Sequence, residues 1–140
     1  MGAGRQMKGF IKKAEELRAI VTPHYNCAQS TVIPFAEAAG VSDETALLIA
    51  ANFGGGMKRE SVCGAVTGGL MALGLFGVDD AETIGKYYRR LKRSHGGFLD
   101  CGDLLRINAE AGGEKKPHCD GIVCECAGYV EEILKEKGLL

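Results

Sequence analysis

Residues 61–78 read SVCGAVTGGLMALGLFGV, and this uncharged run of 18 residues decides the fold. Apolar and small residues continue around every side of a helix drawn through it, which is typical of a helix buried in a protein or of a membrane span. The run lies at the short limit for crossing a bilayer, five of its residues are glycine, and no second span is evident. We therefore predict a buried, Gly-rich central helix and no stable membrane insertion.

Small residues recur at four-residue intervals within this run, at Gly64, Gly68 and Ala72. Because residues four apart lie on one face of a helix, the spacing predicts a smooth face that a neighbouring backbone can approach closely. We expect a second helix to lie against this face and other helix ends to come near Cys63.

Helical periodicity also dominates on both sides of the run, and alternating strand patterns are hard to find. Asn26 and Ser42 are N-cap residue types, and Asp79 with Glu82 has the form of a capping box. The expected helices cover about residues 4–22, 26–39, 61–78, 79–94 and 100–108, with a third helix after Ser42 and a last one from about Pro117. The sequence predicts an all-α, single-domain helical bundle of five to seven helices, with the domain covering residues 1–140.

Side-chain patterns assign faces to some of these helices. Phe10, Ala14, Leu17 and Val21 form an apolar stripe on the first helix, with Arg18 among the charged residues on its other sides. The residues expected to face inward on the third helix are Ala46, Leu47, Ile49 and Ala50, and the core stripe expected on the fifth helix is Ile84, Tyr87, Tyr88 and Leu91. The fifth helix carries a basic run, which predicts either a solvated face or a site for an anion or acidic partner: Lys86, Arg89, Arg90, Lys92 and Arg93.

The chain has six cysteines, and four of them are placed where a helix is expected to begin: Cys27, Cys63, Cys101 and Cys119. N-cap residue types precede three of them, and Pro117 precedes the fourth. A helix start has unpaired N–H groups and a positive dipole end, and both favour thiolate over thiol. Although a single cysteine is often only a buried apolar residue, this arrangement indicates thiol chemistry or metal ligation.

Composition narrows the class of protein further. Lysine and arginine number 17 against 18 aspartates and glutamates, so no global charge attracts nucleic acid. The N-terminal segment has no apolar secretory core, which predicts a cytoplasmic protein with reduced or metal-bound thiols. The apolar content of 46% and the glycine face would suit a homodimer.

Several segments match the pattern of one protein family. The central run contains CGAxxG from Cys63 to Gly68, and further similarity lies in YNCAQS at 25–30, MALGL at 71–75, CGDLL at 101–105, and Cys119 with Val123. By these residues the sequence resembles the C_GCAxxG_C_C family of redox-active proteins, which have about this length and four cysteines spread along the chain. The resemblance implies a helical protein with thiol redox activity and supplies no substrate. Cys124 and Cys126 depart from the pattern.

Cys63 is the expected attacking thiol, because its helix start and the nearby Lys58 and Arg59 favour the anion. Cys27 is the expected resolving partner if the second and fourth helices pack together. The catalytic candidates are then Cys27, Cys63, Cys101 and Cys119, acting on a redox partner protein or a small disulfide.

Metal binding is the alternative from another class. The same four cysteines could hold zinc or an iron–sulfur cluster, although no CxxC pair occurs in the sequence. His118 beside Cys119, and His24 near Cys27, could be ligands, bases or ordinary surface residues. An inert structural role for the cysteines is the third possibility.

Overall fold

The computed structural model describes residues 3–140, with side chains from Gly9 onward. This part of the chain contains seven α-helices, which are α1 (Ala3–Ala19), α2 (Cys27–Ala36), α3 (Asp43–Ala50), α4 (Gly64–Leu75), α5 (Ala81–Ser94), α6 (Cys101–Glu110) and α7 (Lys115–Glu136). The predicted all-α, single-domain class and the helix number are confirmed. No helix in the described part of the chain has the length and apolarity needed to cross a bilayer.

Helix α4 is the central helix, and it lies against α2 and α7. Its small residues permit a close approach: a Cβ added to Gly68 would lie 2.6 Å from the carbonyl oxygen of Ala28 on α2. A Cβ on Gly64 would lie 2.9 Å from the carbonyl oxygen of Phe53. The predicted smooth face is therefore confirmed, and it brings the start of α4 next to the start of α2.

Substituting Gly68 by alanine is expected to lower the free energy of unfolding by about 1–3 kcal/mol, because the new methyl group meets fixed backbone of α2. Gly74 on the same helix has nothing within 4 Å of an added Cβ. Gly74→Ala is the matched control and should stabilise by up to ~1 kcal/mol through helix propensity. Urea unfolding of both variants measures this difference, and equal midpoints would contradict the close α2–α4 contact.

The predicted extent of the central helix, 61–78, is wrong at both ends. Residues before Gly64 are extended, and Val62 forms an isolated antiparallel bridge with Asp100. At the other end Gly77 takes a positive φ of 79°, which closes the helix after Leu75. The long-range pairing therefore replaces the first turn that the local apolar pattern predicted.

Two predicted caps are confirmed and one is displaced. Asn26 and Gln29 form a reciprocal capping box at α2, and the Ser42 hydroxyl accepts from the backbone N–H of Thr45 at α3. At α5, Asp80 rather than Asp79 is the N-cap, because its carboxylate accepts from the backbone N–H of Thr83 at 2.9 Å. The expected Asp79–Glu82 capping box is therefore wrong by one residue.

Three further predictions need correction. The first helix ends at Ala19 rather than about residue 22, and Val21, expected in its apolar stripe, lies in the turn of residues 21–24 and is 77% exposed. Ile49 is 58% exposed, because Ala46 and Ala50 form the buried face of the short α3. Arg18 is only 9% exposed rather than solvated, because it lies against the start of α2 and against α7.

Candidate functional site

Four cysteines from four parts of the chain line one cavity of about 250 Å³. Cys27 is the first residue of α2, Cys63 directly precedes α4, and Cys101 is the first residue of α6. Cys119 is the fifth residue of α7. The structure thus brings together the four cysteines that the sequence singled out.

Cys119 is not at a helix start, contrary to the prediction. Helix α7 begins at Lys115, and Pro117 lies in its first turn, where a missing N–H group is tolerated. The unpaired N–H groups of the helix end therefore lie before Cys119. Any stabilisation of a Cys119 anion must come mainly from neighbouring side chains.

Cys63 and Cys101 are placed by the antiparallel bridge between Val62 and Asp100. The N–H of Cys63 donates to the Leu99 carbonyl at 2.8 Å, and the N–H of Cys101 donates to the Ser61 carbonyl at 2.6 Å. Residues flanking a bridge pair on both strands point to the same face, so both thiols are directed toward the cavity.

Cys27 is held at the cavity by the cap of α2 and by two glycines. The Asn26 side chain donates to the Ala51 carbonyl at 3.1 Å, and a Cβ on Gly54 would collide with that side chain. A Cβ on Gly64 would lie 3.3 Å from the Cβ of Cys27. The glycines after α3 and at the start of α4 therefore allow the two cysteine-bearing helix starts to meet.

Arg18 supplies a buried positive charge beside these thiols. Its Nε donates to Oδ1 of Asp120 at 2.7 Å, and its Nη1 donates to the Tyr25 carbonyl at 3.0 Å. These bonds fix the guanidinium between α1, the start of α2 and α7. Its charge acts on both Cys27 and Cys119.

Cys119 has the most acidic thiol of the cavity. A hydrogen bond from the Cys27 thiol lowers the pKa of Cys119 to about 7, from an ordinary value of 9.0. Burial opposes this shift, whereas the positive charges of Arg18 and Lys115 support it. The same hydrogen bond, together with burial, raises the pKa of Cys27 far above its ordinary range. The pair therefore consists of a thiolate at Cys119 and a thiol donor at Cys27.

Cys63 and Cys101 favour the thiol form. Burial raises the pKa of Cys63, although the backbone N–H groups of Val66 and Ala65 at the start of α4 partly offset this. Burial likewise raises the pKa of Cys101. The structure thus does not support Cys63 as the most acidic thiol.

Lys58 and Arg59, which were expected to stabilise a Cys63 anion, do not line the cavity. Both are exposed, and the Lys58 ammonium donates to the Asn52 side chain at 2.9 Å. They lie in a turn, Gly56–Glu60, in which Met57, Lys58 and Glu60 have positive φ angles near 60°. This turn directs Glu60, rather than the two cations, to the cavity.

The remaining wall of the cavity combines imidazoles and aliphatic side chains. His24 and His118 line it, together with Leu104, Leu105 and Ile122. The Nε2 atom of His118 is buried and has no hydrogen-bond partner among the described residues. Burial lowers the pKa of His118, so its imidazole is neutral at pH 7 and can accept a proton.

Cys124 and Cys126 do not line this cavity. Cys126 is fully buried and hydrogen-bonds to the Tyr87 hydroxyl, which itself donates to the Val66 carbonyl at 3.0 Å. Cys124 is half-buried on α7. Their exclusion from the four-cysteine set agrees with this placement.

Metal ligation by the cavity cysteines would need three or more ligand side chains grouped around one point. Among the side chains of residues 9–140, no group of three or more His, Cys, Asp or Glu residues is arranged to hold a metal ion. The four cavity cysteines therefore do not form the closed ligand set that zinc or a cluster requires.

Arg18 and Lys115 are the charged site residues that the sequence analysis missed. Arg18 follows the apolar stripe of α1 and has the appearance of an ordinary outer residue, and its partner Asp120 is 102 positions away. Lys115 could have been found from the sequence, because it lies four residues before Cys119 and so on the same face of a helix.

Comparison with known proteins places the chain in a family. A family model described as "Putative redox-active protein (C_GCAxxG_C_C)" matches residues 25–133. The chain belongs to this family, as its motifs predicted, and the family is redox-active by description. No curated protein and no solved structure matches the chain.

Proposed function

We propose that the protein carries out thiol–disulfide exchange, with Cys119 as the attacking thiolate and Cys27 as the resolving thiol. The observation that supports this most directly is that Cys27 and Cys119 line one cavity together with Arg18 and Lys115, where the Cys27 thiol and the two cations lower the pKa of Cys119 to about 7. About half of Cys119 is then thiolate at neutral pH, and thiolate is the nucleophilic form.

In the first step, Sγ of Cys119 attacks one sulfur of a disulfide R–S–S–R. The Cys119–S–S–R bond forms, the substrate S–S bond breaks, and R–S⁻ leaves. In the second step, Sγ of Cys27 attacks Sγ of Cys119, the mixed disulfide breaks, and the Cys27 proton ends on the second leaving thiol. The substrate gains two electrons, the protein holds a Cys27–Cys119 disulfide, and an external dithiol returns it to the reduced state.

The second step needs a proton acceptor, because Cys27 is a thiol of raised pKa and its hydrogen-bond partner is by then consumed. The neutral imidazole of His118, a residue that lines the same cavity and whose buried Nε2 has no hydrogen-bond partner among the described residues, is suited to take this proton. Cys63 and Cys101 remain thiols in this cycle.

The proposal is tested by mixing the reduced, reductant-free protein with dithiodipyridine, a neutral chromogenic disulfide. We expect two leaving thiols per chain and, by peptide mapping, a Cys27–Cys119 disulfide. A disulfide that maps elsewhere, or a single leaving thiol from a stable adduct, would overturn the assignment.

Metal analysis of protein purified without air tests the alternative function, in which the four cysteines bind a metal ion or an iron–sulfur cluster. Exchange requires free thiols, so we expect neither zinc nor iron at a stoichiometric level. One zinc per chain, or iron with a visible absorption band, would instead favour a metal or cluster carrier.

A further inference from the structure

A groove on the outer side of Cys119 adjoins the cavity. It has a volume of about 340 Å³ and is lined by Arg18, Ile20, Val21, His24, Lys115, Lys116 and Cys119. Four of these residues also line the cavity: Arg18, His24, Lys115 and Cys119. Cys119 therefore lies at the junction of the two spaces.

The groove is positively charged, and no carboxylate is found among the described residues that line it. Arg18 and Lys116 both pair with Asp120, at 2.7 and 3.1 Å. Lys115 has no ion-pair partner among the described side chains, so its charge is available to a ligand. Lys115 lines the cavity together with Cys119 and Cys101, and its positive charge acts on both thiols.

Among the described residues that line the cavity, Glu60 carries the one carboxylate. A Cβ on Gly102 would lie 3.3 Å from the Cβ of Glu60, which puts this side chain beside Cys101. The Glu60 charge acts on Cys101, whereas the Lys115 charge acts on both Cys101 and Cys119. An anion is therefore attracted to the groove beside Cys119, whose described lining carries three cations and no carboxylate.

Aliphatic side chains flank the positive groups. Ile20 and Val21 at the groove are 40% and 77% exposed, and the cavity adds Leu104, Leu105 and Ile122. Together the two spaces have the size of a small-molecule site, with apolar walls and a few charged groups that orient the ligand.

We infer that the disulfide attacked by Cys119 is a low-molecular-weight one that carries a carboxylate or a similar acidic group a few bonds from its sulfur, with Lys115 as the group that recognises the anion. This inference rests on the proposed function. The short carbon chain of this disulfide would lie against the aliphatic walls, and its acidic group would lie at Lys115.

Three disulfides of similar length test it: dithiodipropionate with two carboxylates, the neutral hydroxyethyl disulfide, and cystamine with two ammonium groups. The rate at which each oxidises the reduced protein at low salt is divided by its rate with free mercaptoethanol, which removes intrinsic reactivity. We expect the normalised rate to be roughly three- to tenfold higher for the dianion than for the neutral compound, lowest for cystamine, and levelled by added salt.

Lys115→Gln should remove most of the preference for the dianion, whereas Lys12→Gln, an exposed lysine on α1, should leave it intact. The ratio of the two rates is the readout, because losing Lys115 also weakens the Cys119 thiolate for every substrate. Equal normalised rates, or a preference for the dianion that survives Lys115→Gln, would overturn this inference and leave the proposed function unaffected. Failure of all three compounds would overturn the proposed function as well.

Discussion

Replacing Cys119 by serine is expected to remove the fast-reacting thiol of the protein altogether. At pH 7 a thiol of pKa about 7 is half ionised, against ~1% for one at the ordinary 9.0. Its lower basicity reduces the nucleophilicity of the thiolate by about eightfold. At pH 7 the thiol of pKa about 7 therefore reacts about sixfold faster than a thiol of pKa 9.0. The other cavity thiols are disfavoured further because burial raises the pKa values of Cys63 and Cys101.

Stoichiometric alkylation with iodoacetamide at pH 7, followed by peptide mapping, measures this effect. Wild type should show one fast phase at Cys119, and Cys119→Ser should show none, with a loss of more than about tenfold in the initial rate. Cys124→Ser is the matched control, since Cys124 lies on the same helix outside the cavity. If Cys63→Ser rather than Cys119→Ser removed the fast phase, Cys63 would be the attacking residue.

Replacing Cys27 is expected to have two separable consequences, and alanine and serine distinguish them. Neither variant can resolve a mixed disulfide, so both should stop at a stable adduct on Cys119 and release one leaving thiol. Only Cys27→Ala loses the hydrogen bond to the Cys119 sulfur, because the serine hydroxyl can still donate one.

The pH profile of Cys119 alkylation separates these effects. Because the folded protein lowers the pKa of Cys119, the rate should rise with pH around a midpoint near 7 and level off above it. Cys27→Ala should move the midpoint up toward 9.0 and slow alkylation at pH 7 by at most about sixfold, since Arg18 and Lys115 remain. Cys27→Ser should stay closer to wild type. An unchanged midpoint in Cys27→Ala would show that the hydrogen bond does not set the acidity.

Local sequence patterns predicted most of the helical architecture. The stripe on α5 places Tyr87 and Leu91 in the core, and the caps at Asn26 and Ser42 lie where residue type indicated. These features depend on residues within one or two turns of each other, which is the range over which periodicity and capping act.

Long-range pairing explains what the patterns missed. Residues 61–63 have an apolar sequence suited to a helix, yet they are extended because Cys63 and Cys101 exchange backbone hydrogen bonds with each other's neighbouring segments. Nothing near Val62 in the sequence indicates that Asp100 will lie opposite it.

The acidity of the cysteines was harder to predict than their grouping. Motif spacing indicated which four thiols meet, but the helix-start rule favoured Cys63, where burial outweighs the N–H groups of α4. Cys119 becomes acidic through a neighbouring thiol and through Arg18, which only the folded chain brings beside it. The family match begins at residue 25, so Arg18 also lies outside the segment that the motifs define.

Among the described side chains of α1, Arg18 is the one that hydrogen-bonds at this site, to Asp120 and to the Tyr25 carbonyl, and Lys116 donates to the Arg18 backbone carbonyl. If α1 detaches while the other helices stay folded, the positive charge departs and Cys119 regains a more ordinary basicity. Loss of chemical reactivity would then precede loss of helicity during gentle heating. The thiol would thus act as a built-in reporter of whether the N-terminal helix is docked.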